Sequence, residues 1–382
     1  MKDLSPAVHL PKAWAIWAAL LLVPLLRGQT PADAIALERQ GKLAEAADAW
    51  RTVIARNPDD APAFASLGVV LSKQLRYVEA AVVYRKALAL NPKLPGIELN
   101  LGLAEFKQGH FEAAVGPLRA ALAEDSRSAQ AQALLGMSYY GEKKFVLASQ
   151  ALAPVAKSDP DNAELHQILA QSCLWAKKYT CALDEFKQIL QHNPDSVAAH
   201  MLSGEALDGL QRTPEAIAEF QAAAKASPQE PDVHFGLGYL YWKSHQYEEA
   251  EREFHSVLAI DPNHAQALAY LGDIALKKAN WDDALSLLEK AVSLKSDVRI
   301  ACVDLGAVFM QRKQYKEAVA VLQHAVQLDP AQPDAHYRLG RVYQATGKTA
   351  EAQRQFAKVQ ELHATEDSLV SKMSAAPPPL PP

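Results

Sequence analysis

His166, His200 and His234 recur 34 residues apart in this 382-residue chain. A ladder of imidazoles can hold a metal ion or gather protons near pH 6. If the three sit on successive helices, the helices stand roughly 10 Å apart, whereas metal–nitrogen bonds run about 2 Å, so one ion would need every ring to lean inward. The ladder is therefore read as amphipathic packing residues in an aromatic slot, with no metal site. Clustered protonation is expected to loosen that region.

Other constellations are weaker. Gly347-Lys348-Thr349 resembles the end of a phosphate loop, but Val342 stands where its first glycine belongs, and the tripeptide is read as a turn between helices. Gly236-Leu237-Gly238 lacks the third glycine and following acid of a dinucleotide fingerprint, and is read as close helix packing. No H-E-x-x-H, G-x-S-x-G or S-x-x-K occurs, and the carboxylates are read as solvated charges on outer helical faces. The expectation is a chain with no catalytic residues and no cofactor. Cys173, near the end of one helix, and Cys181, at the start of its partner, could meet across the turn as a disulfide, contributing about 2–3 kcal/mol for so short a loop. Two small buried thiols are the alternative, and Cys302 is left free on the packing face.

The elements that position these residues are helices. The chain is 49% hydrophobic with 17 glycines, and it lacks alternating Val, Ile and Thr runs. Its net charge of −5 becomes −7 without residues 1–28, which argues against a nucleic-acid partner. Residues 1–28 carry the uncharged stretch Ala13 to Leu26, cut short by Pro24 and Arg27. That length fits a secretory signal; an uncleaved amino-terminal anchor and an ordinary buried helix are the alternatives, and no Cys follows to accept a lipid.

A period of 34 residues fixes the architecture. Gly or Ala stands at every step from Ala34 through Gly68 to Gly340, alanine at every step from Ala46 to Ala352, and leucine often precedes the glycines. Prolines such as Pro58, Pro92, Pro160 and Pro262 close the units, and large residues such as Phe220 and Phe254 lie one turn after the alanines. Phe64, Leu67, Gly68, Leu71, Ala80, Tyr84 and Pro92 match the W-x2-L-G-x2-Y, A-x3-F, P pattern, so the chain from Thr30 to about Leu362 resembles the tetratricopeptide repeat family. The resemblance implies an all-α, right-handed superhelical solenoid of tandem helix-turn-helix repeats, ten units over 29–364, with first helices lining a concave wall.

Thr30 and Pro31 suit a helix start. Thr365 could cap a further helix over 365–374, and 375–382 is a Pro-rich tail with nothing to pack. Pro117 and Pro154 fall inside second helices and should kink them.

The stretch His234 to Trp242, HFGLGYLYW, crowds aromatic rings into two stripes. Phe235, Tyr239 and Trp242 form the stripe turned from the packing face, and should line the concave wall. The same positions elsewhere give Leu99, Leu103 and Phe106, then Met137 and Tyr140, then Leu174 with Trp175 beside it, then Met201, while Glu205, Asp208 and Asp232 add acidic groups. An apolar strip of this kind suits a partner's extended or helical peptide; packing of the wall on the next unit, or its cover by the chain's own Pro-rich tail, is the alternative. Some members of the family hold a carboxylate tail with Lys and Asn on the wall, but Asn100 alone matches such a place.

The expected function is a non-enzymatic scaffold, exported to the periplasm or beyond, that binds partner proteins or peptides along the wall. A membrane-anchored assembly or secretion subunit and an accessory subunit of a separately encoded enzyme are the alternatives.

Overall fold

The computed structural model describes residues 30–374, which form twenty α-helices and no strand. The expected segments 1–28 and 375–382 lie outside the described residues. Among the described residues, no helix is long and apolar enough to cross a membrane.

Two turns set the 34-residue period. The first closes each hairpin: at residue 41 and every 34 residues to 347 the backbone is left-handed, with φ between 58° and 75°. Gly41, Gly109 and Gly347 adopt it freely, whereas Leu75, Lys143, Lys177, Gln211, His245, Ala279 and Lys313 adopt it against the crowding of a Cβ. After helix α3 (Ala61–Lys73) the Arg76 N–H donates to the Leu71 carbonyl at 3.0 Å and the Leu75 N–H to that of Ser72 at 2.9 Å. These bonds satisfy carbonyls the helix end leaves open, and the chain then enters α4 (Tyr77–Leu90).

The second turn starts the next unit. Asp60, Ser128 and Ser196 each accept a bond from the backbone N–H three residues on. Pro31, Pro62, Pro231 and Pro333 fall in first turns, where their missing N–H costs nothing. Thr30 and Asp33 form a reciprocal capping box on α1 (Pro31–Arg39).

The small column lets the two helices of a hairpin meet. A Cβ on Gly238 would lie 2.8 Å from the Phe254 ring, and one on Gly272 would lie 2.6 Å from the Leu288 side chain. Phe254 and Leu288 are fully buried as a result.

Pro117 and Pro154 sit inside α6 (Phe111–Glu124) and α8 (Phe145–Ser158), and both helices run unbroken through them. The helix expected from Thr365 is not a separate element. Helix α20 is continuous from Thr349 to Ser374, so 365–374 is its final stretch.

The chain parts into two compact units, Met1–Ser172 and Cys173–Pro382, divided inside α9 (Ala163–Trp175). The core of the first includes Leu71, Tyr84, Leu118 and Leu152; that of the second includes Phe186, Phe254, Ile274, Leu288 and Leu322, all fully buried. Each is a two-layer stack of helical hairpins, a solenoid in which a unit buries its apolar faces only against its neighbours.

In the second unit, α11 (Val197–Gly209), α13 (Pro231–Lys243), α15 (Ala265–Lys277), α17 (Arg299–Gln311) and α19 (Pro333–Ala345) are first helices, and each touches the next. Successive second helices there, which include α10 (Tyr179–His192), α12 (Thr213–Ala226) and α14 (Tyr247–Ile260), touch little or not at all. The first-helix layer therefore follows the shorter arc and is the concave side of that unit.

Candidate partner-binding face

The residues expected on the wall divide between the units. In the first, Leu99, Leu103 and Phe106 are half-buried and pack against the cluster of Ala114, Leu118, Leu134 and Leu135, with the Phe106 ring 5.6 Å from Phe111. Met137 is half-buried, and Tyr140 donates its hydroxyl to Gln171 Oε1 at 2.6 Å and packs on Phe145. In the second unit Leu174, expected on the wall, is buried at 6% exposure, because a leucine there meets neighbours rather than solvent. Trp175 beside it is 46% exposed.

The aromatic stripe of α13 is partly consumed by the next first helix. Phe235 packs 5.8 Å from Phe254, 5.1 Å from His264 and 5.8 Å from Tyr270 of α15. Trp242 lies edge-on to Tyr270 at 4.9 Å and donates Nε1–H to Asp273 Oδ2 at 2.5 Å. Lys277 Nζ binds both oxygens of Asp273, at 2.6 and 2.7 Å, and stands 5.6 Å over the Trp242 ring. Burial, reinforced by the neighbouring Tyr239 and by the charge of Asp273, pushes the pKa of the Tyr270 hydroxyl up to about 12, so it stays neutral. Trp242 is thus a bracing residue rather than an open wall residue. Tyr239 stacks on it at 6.0 Å.

What stays open lies on the other side of that stripe. Met201, Glu205 and Asp208 of α11, Phe220 of α12, and Asp232, Phe235, Gly236, Tyr239 and Leu240 of α13 enclose a cleft of about 330 Å³. Phe220, only 4% exposed, is its floor, and Gly236 makes the floor possible, since a Cβ there would fall 2.2 Å from the Phe220 ring. Leu202 and Tyr270 fill the slot of Gly236 in the adjoining units.

The charge in the cleft is acidic. Lys243 Nζ holds both Asp208 oxygens, at 2.7 and 2.9 Å. Glu205 and Asp232 have no side-chain partner among the described residues. Glu205 is still reached by solvent, yet the walls strip part of its water, and that desolvation raises its carboxyl pKa. Phe220, Gly236 and Leu240 were not legible as site residues; the one available signal was a glycine in a slot that carries large side chains on either side.

Two rungs of the histidine ladder, His200 and His234, are stitches between the helices of their hairpins. His234 Nδ1 lies 2.7 Å from Glu253 Oε2 on α14 and its Nε2 3.0 Å from the Pro228 carbonyl oxygen; His200 makes the same contacts with Glu219, at 2.7 Å, and Pro194, at 2.9 Å. His336 repeats them with Gln355 Oε1 and Pro330. No three His, Cys, Asp or Glu side chains converge as a metal set among the described residues. Cys173 on α9 and Cys181 on α10 form a disulfide with Cα atoms 5.8 Å apart, and Cys302 is free and buried. Gly347 occupies a left-handed turn between helices, as read for Gly347-Lys348-Thr349.

Family models described as tetratricopeptide repeat match residues 32–95, 105–172, 176–231, 209–264, 241–301 and 334–365, and one described as TPR repeat matches 306–347. The chain belongs to the tetratricopeptide repeat family. As in the tetratricopeptide repeat family generally, its fold is one of protein–protein interaction. Solved structures similar to this repeat protein include one titled MamA MSR-1 C2, at 25% identity over 43% of this chain and 95% of that chain, TM-score 0.39. Yeast Tom70 is similar at 14% identity over 90% of this chain and 93% of that chain, TM-score 0.44. YrrB, described as a TPR protein with an unusual peptide-binding site, is similar at 20% identity over 49% of this chain and 97% of that chain, TM-score 0.38. No curated protein matches the chain.

Proposed function

We propose that this tetratricopeptide repeat protein is a non-catalytic scaffold that grips a segment of a partner protein on the first-helix face of its second unit. The observation that carries this reading is the cleft between α11 and α13: about 330 Å³, floored by Phe220, walled by Phe235 and Tyr239, and edged by Glu205 and Asp232, which have no side-chain partner among the described residues. Pre-formed clefts with apolar walls and a few placed polar groups are the usual form of a binding site. Phe235 and Tyr239 are already held against Tyr270, at 5.8 and 5.9 Å, so little order is lost when a partner enters.

Export to an oxidising compartment is part of the same proposal. Its supports are the uncharged stretch Ala13 to Leu26 and the disulfide of Cys173 with Cys181, a bond that cytosolic thiol pools disfavour. The test is capture of partners by the full chain in its native host, compared with Phe235→Ala/Tyr239→Ala. Loss of a specific partner on changing the two rings supports the reading, and an identical set of captured proteins contradicts it.

A further inference from the structure

The partners' chemistry follows from the charge of the cleft. Three carboxylates, Glu205, Asp208 and Asp232, line it, and Lys243 neutralises only Asp208. Two negative charges therefore face a space with aromatic walls and, among the described residues, nothing of opposite sign to meet them. A volume of about 330 Å³ lies at the small end of ligand sites, roughly 300–1,000 Å³. It admits one long side chain, whereas a helix could only lie across its mouth.

We infer that the cleft is the receptor for a single basic side chain, arginine in preference to lysine, projecting from a partner protein segment that lies along α11 and α13. This rests on the scaffold reading and specifies its partner. The methylene stem lies on Met201 and Leu240, the cationic plane stacks on Tyr239 or Phe235, and Glu205 and Asp232 accept the N–H groups. A guanidinium suits this set better than an ammonium because it is planar, less strongly hydrated and stacks on rings while its edge serves carboxylates. Gly236 is the specificity element, since the side chains of Leu202 or Tyr270 in its slot would occupy the volume.

The inference is tested on the full chain carrying ¹³C-methyl methionine, with the Met201 resonance assigned by Met201→Leu. The probes are n-butylguanidinium, n-butylammonium, n-butanol and butyrate. The inference predicts a saturable shift of the Met201 methyl with butylguanidinium, weaker with butylammonium and at least about tenfold weaker with butanol or butyrate, since a hydrogen bond to a charged group is worth about tenfold or more. Glu205→Gln with Asp232→Asn should weaken the guanidinium by about tenfold or more, and added salt should weaken it further. Equal response to butanol, indifference to the two substitutions, or no response to any probe overturns the inference. Glu205→Gln alone, whose residue caps no helix, guards against a folding defect from changing Asp232.

Failure here is distinguishable from failure of the scaffold reading. Partner capture that is lost in Phe235→Ala/Tyr239→Ala but kept in Glu205→Gln/Asp232→Asn removes the basic side chain and leaves the groove. Capture unchanged in both, with a guanidinium response intact, removes the groove as partner site and leaves the cation site.

Discussion

His234 and Glu253 join the two helices of one hairpin, Nδ1 to Oε2 at 2.7 Å, while the other ring nitrogen lies 3.0 Å from the Pro228 carbonyl oxygen. Both neighbours are acceptors, so only the doubly protonated ring donates to both. Burial alone would lower the pKa of His234, but the Glu253 bond, the Pro228 carbonyl and the Glu253 charge together raise it. At His234 the loosening expected near pH 6 therefore has the opposite sign. A folded pKa above the unfolded value of about 6.5 gives stability that is complete below about pH 6.5 and lost as pH rises through the folded pKa. His234→Gln should lower stability by about 1–2 kcal/mol at pH 6 and by less at pH 8.5, read by thermal melts of both proteins at both pH values.

Asp304 titrates in the same direction for a different reason. It is 4% exposed, its Oδ2 has no hydrogen-bond partner, and Arg338 Nη2 stands 3.5 Å from Oδ1. Burial and the charge of Asp273 raise its pKa to about 7, against the pull of Arg338 and Lys277. A carboxyl whose folded pKa lies above its unfolded value stabilises fully below about pH 4, and loses that contribution as pH climbs towards 7. Asp304→Asn should raise stability at pH 8 by on the order of 2 kcal/mol and change it little at pH 4. Denaturant unfolding at the two pH values measures this, and an equal effect at both would contradict it.

The left-handed turn column offers a gain. Leu75 has φ 61° and is 72% exposed, so it bears backbone crowding and contributes little packing. Leu75→Gly should stabilise the protein by about 1 kcal/mol, because relief of the Cβ clash outweighs the added freedom of the unfolded chain. A lowered denaturation midpoint would show that the Leu75 side chain has another role.

Cys173 and Cys181 close a loop with a sequence separation of 8. Reduction, or Cys173→Ser with Cys181→Ser, should cost about 2–3 kcal/mol. Intact mass before and after alkylation, with and without reductant, shows whether the protein purified from its native compartment carries the bond.

The fold was legible because its columns are chemical: a Cβ at Gly238 or Gly272 would strike the facing helix, so the small residue recurs and can be counted. The left-handed column recurs as strictly but was hidden, since Leu75, Gln211 and Ala279 bear no outward mark of a left-handed turn. Phe235, Tyr239 and Trp242 were legible as a stripe of α13, but not the claim that Tyr270 and Asp273 make on Trp242 from the next helix. Leu174 follows the wall spacing and is buried, because spacing gives direction and not what stands opposite. The cleft itself arises from an absence, the missing side chain of Gly236, together with Phe220 reaching through from the second layer.

Site-specific photocrosslinking in the native host tests partner docking on the first-helix face most directly. A benzoylphenylalanine is placed at Tyr239, in the cleft, or at Arg252, whose side chain is 71% exposed on the second-helix layer. The account predicts a discrete crosslinked partner from position 239, lost in the Glu205→Gln/Asp232→Asn background, and none from position 252. A partner crosslinked from 252 and not from 239 would contradict it.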